Sequence, residues 1–214
     1  LEFRRVLFRS HRGRDSAWVI DKLKGLDWGA YDALQEAVTH GHRLGIEVHA
    51  WLSINEDDHA WGLMSRFSRE NPQARWVRRD GRPFRSQLSF AFPEVRDHKL
   101  ALVAEILERK PDGLFIDWIR TGDVRDNPHT DKEGVAIHGY EAPNVQAFKH
   151  RYGTDPFTLP NNDDRWTRVR AEPQTTFMRD VRRLVKSKSP AATVSAKTEE
   201  HTSEQSLAYL VCRL

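Results

Sequence analysis

Asp112-Gly-Leu-Phe-Ile-Asp117-Trp-Ile-Arg120 is the stretch that decides the fold of this chain. It opens on a turn signal, Pro111-Asp112-Gly113, and continues into Leu114-Phe115-Ile116, an apolar run that is too short for a helix. A run of this length is typical of a strand buried in a parallel sheet. The strand ends in a carboxylate, an indole and a guanidinium. In α/β barrels, the carboxyl ends of the strands are where catalytic groups lie.

Helical and strand patterns alternate on both sides of this stretch. Strands that alternate with helices predict a parallel sheet built from right-handed βαβ units. Pro173 should break or kink the long helix in which it lies. The predicted order is helix 28–45, strand 46–52, a helix opened by Pro93, strand 112–120, helix 143–152, helix 164–186 and strand 191–196.

The long connections favour a barrel over a small open sheet. Residues 53–93 and 121–140 both follow the carboxyl end of a predicted strand, and loops of this length are usually functional. Asp80-Gly81 predicts a hairpin turn inside the first of them. A closed barrel has eight strands, whereas only about three are predicted here. We therefore predict a partial (β/α)8 TIM barrel, with a small open sheet as the alternative.

Composition indicates one globular domain with a local excess of positive charge. The chain has 214 residues, of which 38% are hydrophobic and 30% charged, and no apolar run long enough to span a membrane. Cys212 is the single cysteine, so no disulfide framework is predicted. Residues 1–14 carry five arginines against Glu2, so the net charge of +3 becomes −1 without them. We predict that residues 1–14 are a non-native or disordered segment, with a native basic tail as the alternative, and that residues 15–214 form the domain. No nucleic-acid or membrane partner is predicted.

An ordered set of short motifs carries a family resemblance. The motifs are Gly45-Ile-Glu-Val-His-Ala-Trp51, Asn71-Pro72, Arg75-Trp76-Val77, Asp80-Gly-Arg-Pro83, Leu88-Ser89, Pro93-Glu-Val-Arg96 and the opening stretch. Together with their continuation over residues 140–185, they resemble the bacterial glycosyl-hydrolase-like family 10. The resemblance covers roughly residues 28–196. It implies a (β/α)8 barrel whose third and fourth strands are 46–52 and 112–120, with carbohydrate, including cell-wall glycan, as substrate.

Glycoside hydrolysis needs carboxyl groups, and Asp117 is the best single candidate. The reaction commonly uses two, one protonated and one ionised. We expect Asp117 to act as nucleophile or general base, with a structural ion pair to Arg120 as the alternative. Glu56 and Asp123 are the candidates for the partner acid, because their loops should converge over the same mouth. Each of these two also fits an ordinary solvated loop carboxylate.

Aromatic and polar residues near the same strand ends predict a sugar-binding surface. Trp51 and Trp118 end adjacent strands, where an indole can offer a flat apolar face to a sugar ring or simply fill the barrel top. His49 shares a strand face with Trp51, where it is expected to be a buried structural histidine, with substrate contact as its other role. The predicted substrate-binding residues are Arg120, Trp118, Trp51, His49, Asn55, His59 and Trp61.

No metal or other cofactor is predicted. His40-Gly-His42 has a metal-binding form but lies near a helix end, and the acidic loop from Asp123 to His138 fits no calcium pattern. Two rivals to the glycosidase hypothesis remain: a non-catalytic carbohydrate-binding barrel, and a metal-dependent hydrolase of the same fold. We also expect this chain alone to be inactive, because missing strands would leave open sheet edges and an incomplete mouth.

Overall fold

The computed structural model of the protein describes residues 32–55, 58–59, 63–117, 119 and 138–197. No helix among these residues is both long and apolar enough to cross a membrane. Short 3-10 helices cover Pro72–Ala74 and Pro156–Thr158. The main elements are α1 (Ala33–Arg43), β1 (His49–Ser53), β2 (Asp58–His59), β3 (Leu63–Met64), α2 (Arg66–Glu70), β4 (Arg75–Val77), β5 (Pro83–Leu88), α3 (Pro93–Leu107), β6 (Gly113–Asp117), α4 (Ala142–Tyr152), α5 (Asp164–Lys188) and β7 (Thr193–Ala196).

A parallel sheet of the order β1-β6-β7 organises the described residues. Leu114 of β6 pairs with Ala50 on one side and with Val194 on the other. The opening stretch therefore forms the middle strand, which explains why it is the most apolar of the three. The predicted parallel sheet of three strands joined by helical crossovers is confirmed for this part of the chain.

The helices cover one face of this sheet. Leu114 and Ile116 are fully buried on that face, and α3 and α5 pack against it through residues such as Val103 and Phe177. Strand alternation directs the other side chains to the opposite face, where Trp51 is 64% exposed. In a closed barrel the face opposite the helices forms the interior.

Helix ends follow the expected signals, with one correction. Gly45 and Gly153 adopt left-handed conformations, with φ of 68° and 65°, just after α1 and α4, as their positions predict. Of the break or kink predicted at Pro173, the break is wrong, since α5 runs without interruption from Asp164 to Lys188, while a kink stays a prediction. The physical reason is packing: Val169 and Phe177, on either side of the proline, are both buried and hold the two halves of the helix in place.

Asp112 and its hydrogen-bond partners lie at the amino end of the sheet, and a β-hairpin lies in a connection at its carboxyl end. At the amino end, the Asp112 carboxylate accepts hydrogen bonds from Val48 N at 2.7 Å and from His42 Nε2 at 2.8 Å. His42 is thus bound to Asp112, and Nε2 of His40 lies 3.4 Å from Oε2 of Glu36. At the carboxyl end, β4 and β5 form the predicted antiparallel hairpin, with Gly81 at φ 85° in its turn. This hairpin belongs to the connection between β1 and α3.

Candidate active site

Asp117 is the last residue of the middle strand. Its side chain is only 4% exposed, and its Oδ2 accepts a hydrogen bond of 3.1 Å from Trp51 Nε1. The backbone carbonyl of Asp117 accepts a second bond, of 3.0 Å, from Ile54 N. The carboxylate is therefore held at the carboxyl edge of the sheet, where the sequence predicts it.

Trp51 presents an exposed aromatic surface beside this carboxylate. Its ring meets Phe115 of the neighbouring strand edge to face, with centroids 5.2 Å apart and planes at 82°. The indole N–H is directed to Asp117, while 64% of the residue stays open to solvent. The structure thus brings together two residues that were predicted separately, one as an acid and one as a sugar platform.

His49 lies on the same face as Trp51 but is exposed. Its Nε2 is 3.6 Å from a carboxylate oxygen of Glu47, and its ring lies so close to Gly113 that a Cβ there would overlap it. The expected role of a buried structural histidine is therefore wrong, because this face of the strand points away from the packed helices.

Asn55 lies two residues after the end of β1 and is buried, with 3% exposed. Among the described residues, no donor reaches its Oδ1. Its position at the carboxyl edge agrees with the sequence, while its role in substrate binding stays a prediction.

Several predicted site residues are not described by the structure. For His59 only the backbone is described, in β2. Their roles, including that of the partner acid, stay predictions. The residues outside the described part are Glu56, Trp61, Trp118, Arg120 and Asp123. Among the residues that the structure does describe, no group of three or more His, Cys, Asp or Glu side chains is placed to hold a metal ion.

Glu141 is a buried acid that the sequence reasoning missed. It is 3% exposed, precedes α4, and accepts hydrogen bonds from Ser89 Oγ, from Asn144 Nδ2 at 2.9 Å and from Val77 N at 3.2 Å. Burial raises the pKa of this carboxyl, while the bond from Ser89 acts in the opposite direction. Its only sequence signal is a position just before a helix, which does not distinguish a buried acid from an exposed one.

Comparison with known protein families identifies the family of this chain. The model of the family described as Glycosyl hydrolase-like 10 matches residues 4–209. The chain belongs to this family. No curated protein matches it.

One solved structure supports the fold, and a second gives a weaker likeness. Alpha-L-fucosidase isoenzyme 2 from Paenibacillus thiaminolyticus is similar at 16% identity and a TM-score of 0.55, over 78% of this chain and 23% of that one. The alpha-galactosidase from Lactobacillus brevis is similar at 12% identity and a TM-score of 0.47, over 83% of this chain and 20% of that one. The chain thus spans less than a quarter of either structure. Together with the parallel sheet, the likeness to the fucosidase shows the fold, a partial α/β barrel.

Proposed function

We propose that this protein is a glycoside hydrolase that acts on a polysaccharide or cell-wall glycan, with Asp117 as a catalytic carboxylate. The observation that carries the proposal is the pairing of a buried Asp117 with the exposed Trp51 at the carboxyl edge of the middle strand. Glycoside hydrolysis uses carboxyl groups, and an open aromatic face beside one of them offers a surface against which a sugar ring can pack. Family membership and the barrel fold support the same reaction class.

In the proposed reaction, Asp117 acts as nucleophile or as general base. A second carboxyl group protonates the oxygen of the leaving sugar as the glycosidic C–O bond breaks, and water supplies the hydroxyl group of the product. Asp123 or Glu56 is proposed for that second role. A carboxyl separation of about 5–5.5 Å would give retention at the anomeric carbon, and about 6.5–9.5 Å would give inversion.

Trp51 has two parts in this proposal. Its N–H orients the Asp117 carboxylate, and its exposed ring stacks against a sugar. The other residues proposed to contact the glycan are Arg120, Trp118, His49, Asn55, His59 and Trp61.

The test compares Asp117→Asn with the unchanged protein on a panel of glycans, in a chain that carries its flanking barrel strands. We expect kcat/KM to fall by about 10³-fold or more, as for loss of a residue that acts on the reacting atoms. Glu172→Gln is the matched control, because Glu172 is half exposed on α5 and paired with Arg151. Unchanged activity of Asp117→Asn would refute the assignment.

The 214-residue chain provides a second test. We propose that it is inactive by itself, because a barrel with open edges has an incomplete mouth. Hydrolysis of a glycan by this chain at the rate of the extended one would contradict that expectation.

A non-catalytic carbohydrate-binding barrel is the rival proposal, and the exposed ring of Trp51 is the observation that favours it. In that case neither form would cleave a glycan, Asp117→Asn would bind glycan as the unchanged protein does, and Trp51→Ala would lose binding. The metal-dependent hydrolase depends on the loop 123–138, of which all but His138 lies outside the described residues, so this rival stays a prediction.

A further inference from the structure

Helix α5 carries a charge that differs in sign from the rest of the domain. Its 25 residues contain eight arginines and lysines against three acids. The net charge of −1 for residues 15–214 therefore divides into +5 on α5 and −6 elsewhere. A strongly positive element in an otherwise acidic domain indicates attraction to an anionic partner.

Most of these cations lie on the side of α5 that faces away from the protein. Trp166 and Phe177, on the inner side, are buried in the two hydrophobic clusters. Helical periodicity places five cations on the opposite side, where all of them are exposed, over about 27 Å of helix. The basic face of α5, as we call it, consists of Arg168, Arg179, Arg182, Arg183 and Lys186.

Local contacts leave most of this charge uncompensated. Glu172, an acid on the same side of the helix, is held by Arg151 of α4 through two hydrogen bonds, and Asp180 accepts a hydrogen bond from Arg183. Lys186 donates to two backbone carbonyl groups, which do not neutralise it. Within the part of the chain that the structure describes, no ion pair with a carboxylate is formed by Arg168, Arg179 or Arg182.

The spacing of the cations is unfavourable for an isolated α5. Arg179 and Arg183 are four residues apart, as are Arg182 and Lys186, and like charges at this spacing destabilise a helix. The helix dipole favours cations in the last turn, which accounts for Lys186 but not for Arg179 and Arg182. A solvated face usually mixes both signs. A bound polyanion would replace this repulsion by attraction, and guanidinium groups match carboxylates in shape.

We propose that the basic face of α5 binds an anionic polysaccharide, at a site separate from the candidate active site. A single flexible chain suits a stripe that is one helix wide, whereas duplex DNA or a membrane would also approach the acidic remainder of the domain. The two aromatic residues of α5, Trp166 and Phe177, are buried, so neither can stack on a base or enter a lipid surface. The choice of a polysaccharide rests on the proposed function.

Binding of polygalacturonate, a polymer of acidic sugars, tests the proposal, with uncharged dextran for comparison. Isothermal titration calorimetry uses an Asp117→Asn chain that carries its flanking barrel strands, so that hydrolysis does not interfere. We expect polygalacturonate to bind and dextran not to bind. Arg179→Gln/Arg182→Gln should raise Kd about tenfold and reduce the salt dependence of log Kd by about 1–2 in slope, because two ionic contacts are lost.

The matched control is Arg43→Gln/Lys110→Gln, which removes the same charge from exposed positions outside α5. It should change Kd by less than about threefold. Equal effects of the two double variants would show attraction to net charge alone and overturn the proposal. The α5 variant should fold, since glutamine is a good helix former and two repelling charges are gone, and its Tm should be unchanged or higher.

Two further probes distinguish other polyanions. Tighter binding of a DNA duplex, or of vesicles that contain phosphatidylglycerol, than of polygalacturonate at the same ionic strength would overturn the assignment to a polysaccharide. An absence of polygalacturonate binding would overturn the inference and leave the proposed function standing. Conversely, full activity of Asp117→Asn would refute the proposed function, and the comparison of the two double variants would still decide whether the basic face binds a polyanion.

Discussion

Replacing Trp51 with phenylalanine tests the geometry of the candidate site without relying on activity. Phenylalanine keeps an aromatic ring next to Phe115 but removes the indole N–H that donates to Asp117 Oδ2. The predicted effect is a loss of stability that depends on the presence of the Asp117 carboxylate. A double-mutant cycle with Asp117→Ala isolates this dependence, because the change in ring size is common to both backgrounds.

The magnitude follows from the contact itself. A hydrogen bond to a charged group contributes about 1.5–3 kcal/mol to stability. The N–O distance of 3.1 Å is long for a charge-assisted bond, and Trp51 is 64% exposed, so water can partly replace the lost donor. We therefore expect a coupling free energy of about 1 kcal/mol between the two residues, above the roughly 0.3–0.5 kcal/mol within which independent mutations add.

The assay is urea unfolding of the 214-residue chain, followed by far-UV circular dichroism for the unchanged protein, both single variants and the double variant. Linear extrapolation yields the free energy of unfolding of each, and equal m-values show that the comparison is valid. A coupling free energy of zero within error would refute the hydrogen bond between Trp51 and Asp117. In that case Trp51 would not orient the Asp117 carboxylate.

Three further predictions test the fold. The hydrogen bond from Val48 N lowers the pKa of Asp112. The free energy of unfolding should therefore fall as the pH drops below the ordinary aspartate value of about 4 and through the lower pKa of the folded state. Asp112→Asn should abolish that part of the pH dependence of urea unfolding. Gly153→Ala should cost about 1–2 kcal/mol, measured as a fall in Tm of a few degrees, because φ is 65°. The added Cβ would meet no described atom within 4 Å, so the loss comes from the backbone conformation alone. Phe177→Ala should cost about 3–5 kcal/mol in urea unfolding, whereas Phe157→Ala, at a residue 42% exposed, should cost about 1 kcal/mol or less.

Local patterns predicted the elements of the fold because each signal acts over a few residues. The apolar run after Pro111-Asp112-Gly113 became β6, and the glycines at 45 and 153 ended helices as expected. The local signal of Pro173 predicted a break that the helix does not show. A proline removes one hydrogen bond from a helix, but burial of residues on both sides of it outweighs that loss.

Only part of the candidate site was predictable. Asp117 could be placed at the carboxyl edge, but Trp51, predicted to end its strand, is the middle residue of β1. Its hydrogen bond to Asp117 depends on the register that pairs Ser53 with Asp117. His49 was expected to fit a buried role, and its exposure depends on which face the helices cover. The burial of Glu141 could not be predicted, since two of its three donors, Ser89 and Val77, lie 52 and 64 residues away in sequence.

The sequence by itself determined the order of the long helices and of the three strands of the parallel sheet, the hairpin at Asp80-Gly81 and the position of Asp117 at a strand end, because all of these depend on neighbours along the chain. It did not determine β2, β3 and α2, which are short. Only the tertiary structure decided that Trp51 donates to Asp117 and that Glu141 joins two connections. Such contacts arise when sheet register and helix packing bring distant residues together, and no local spacing encodes them.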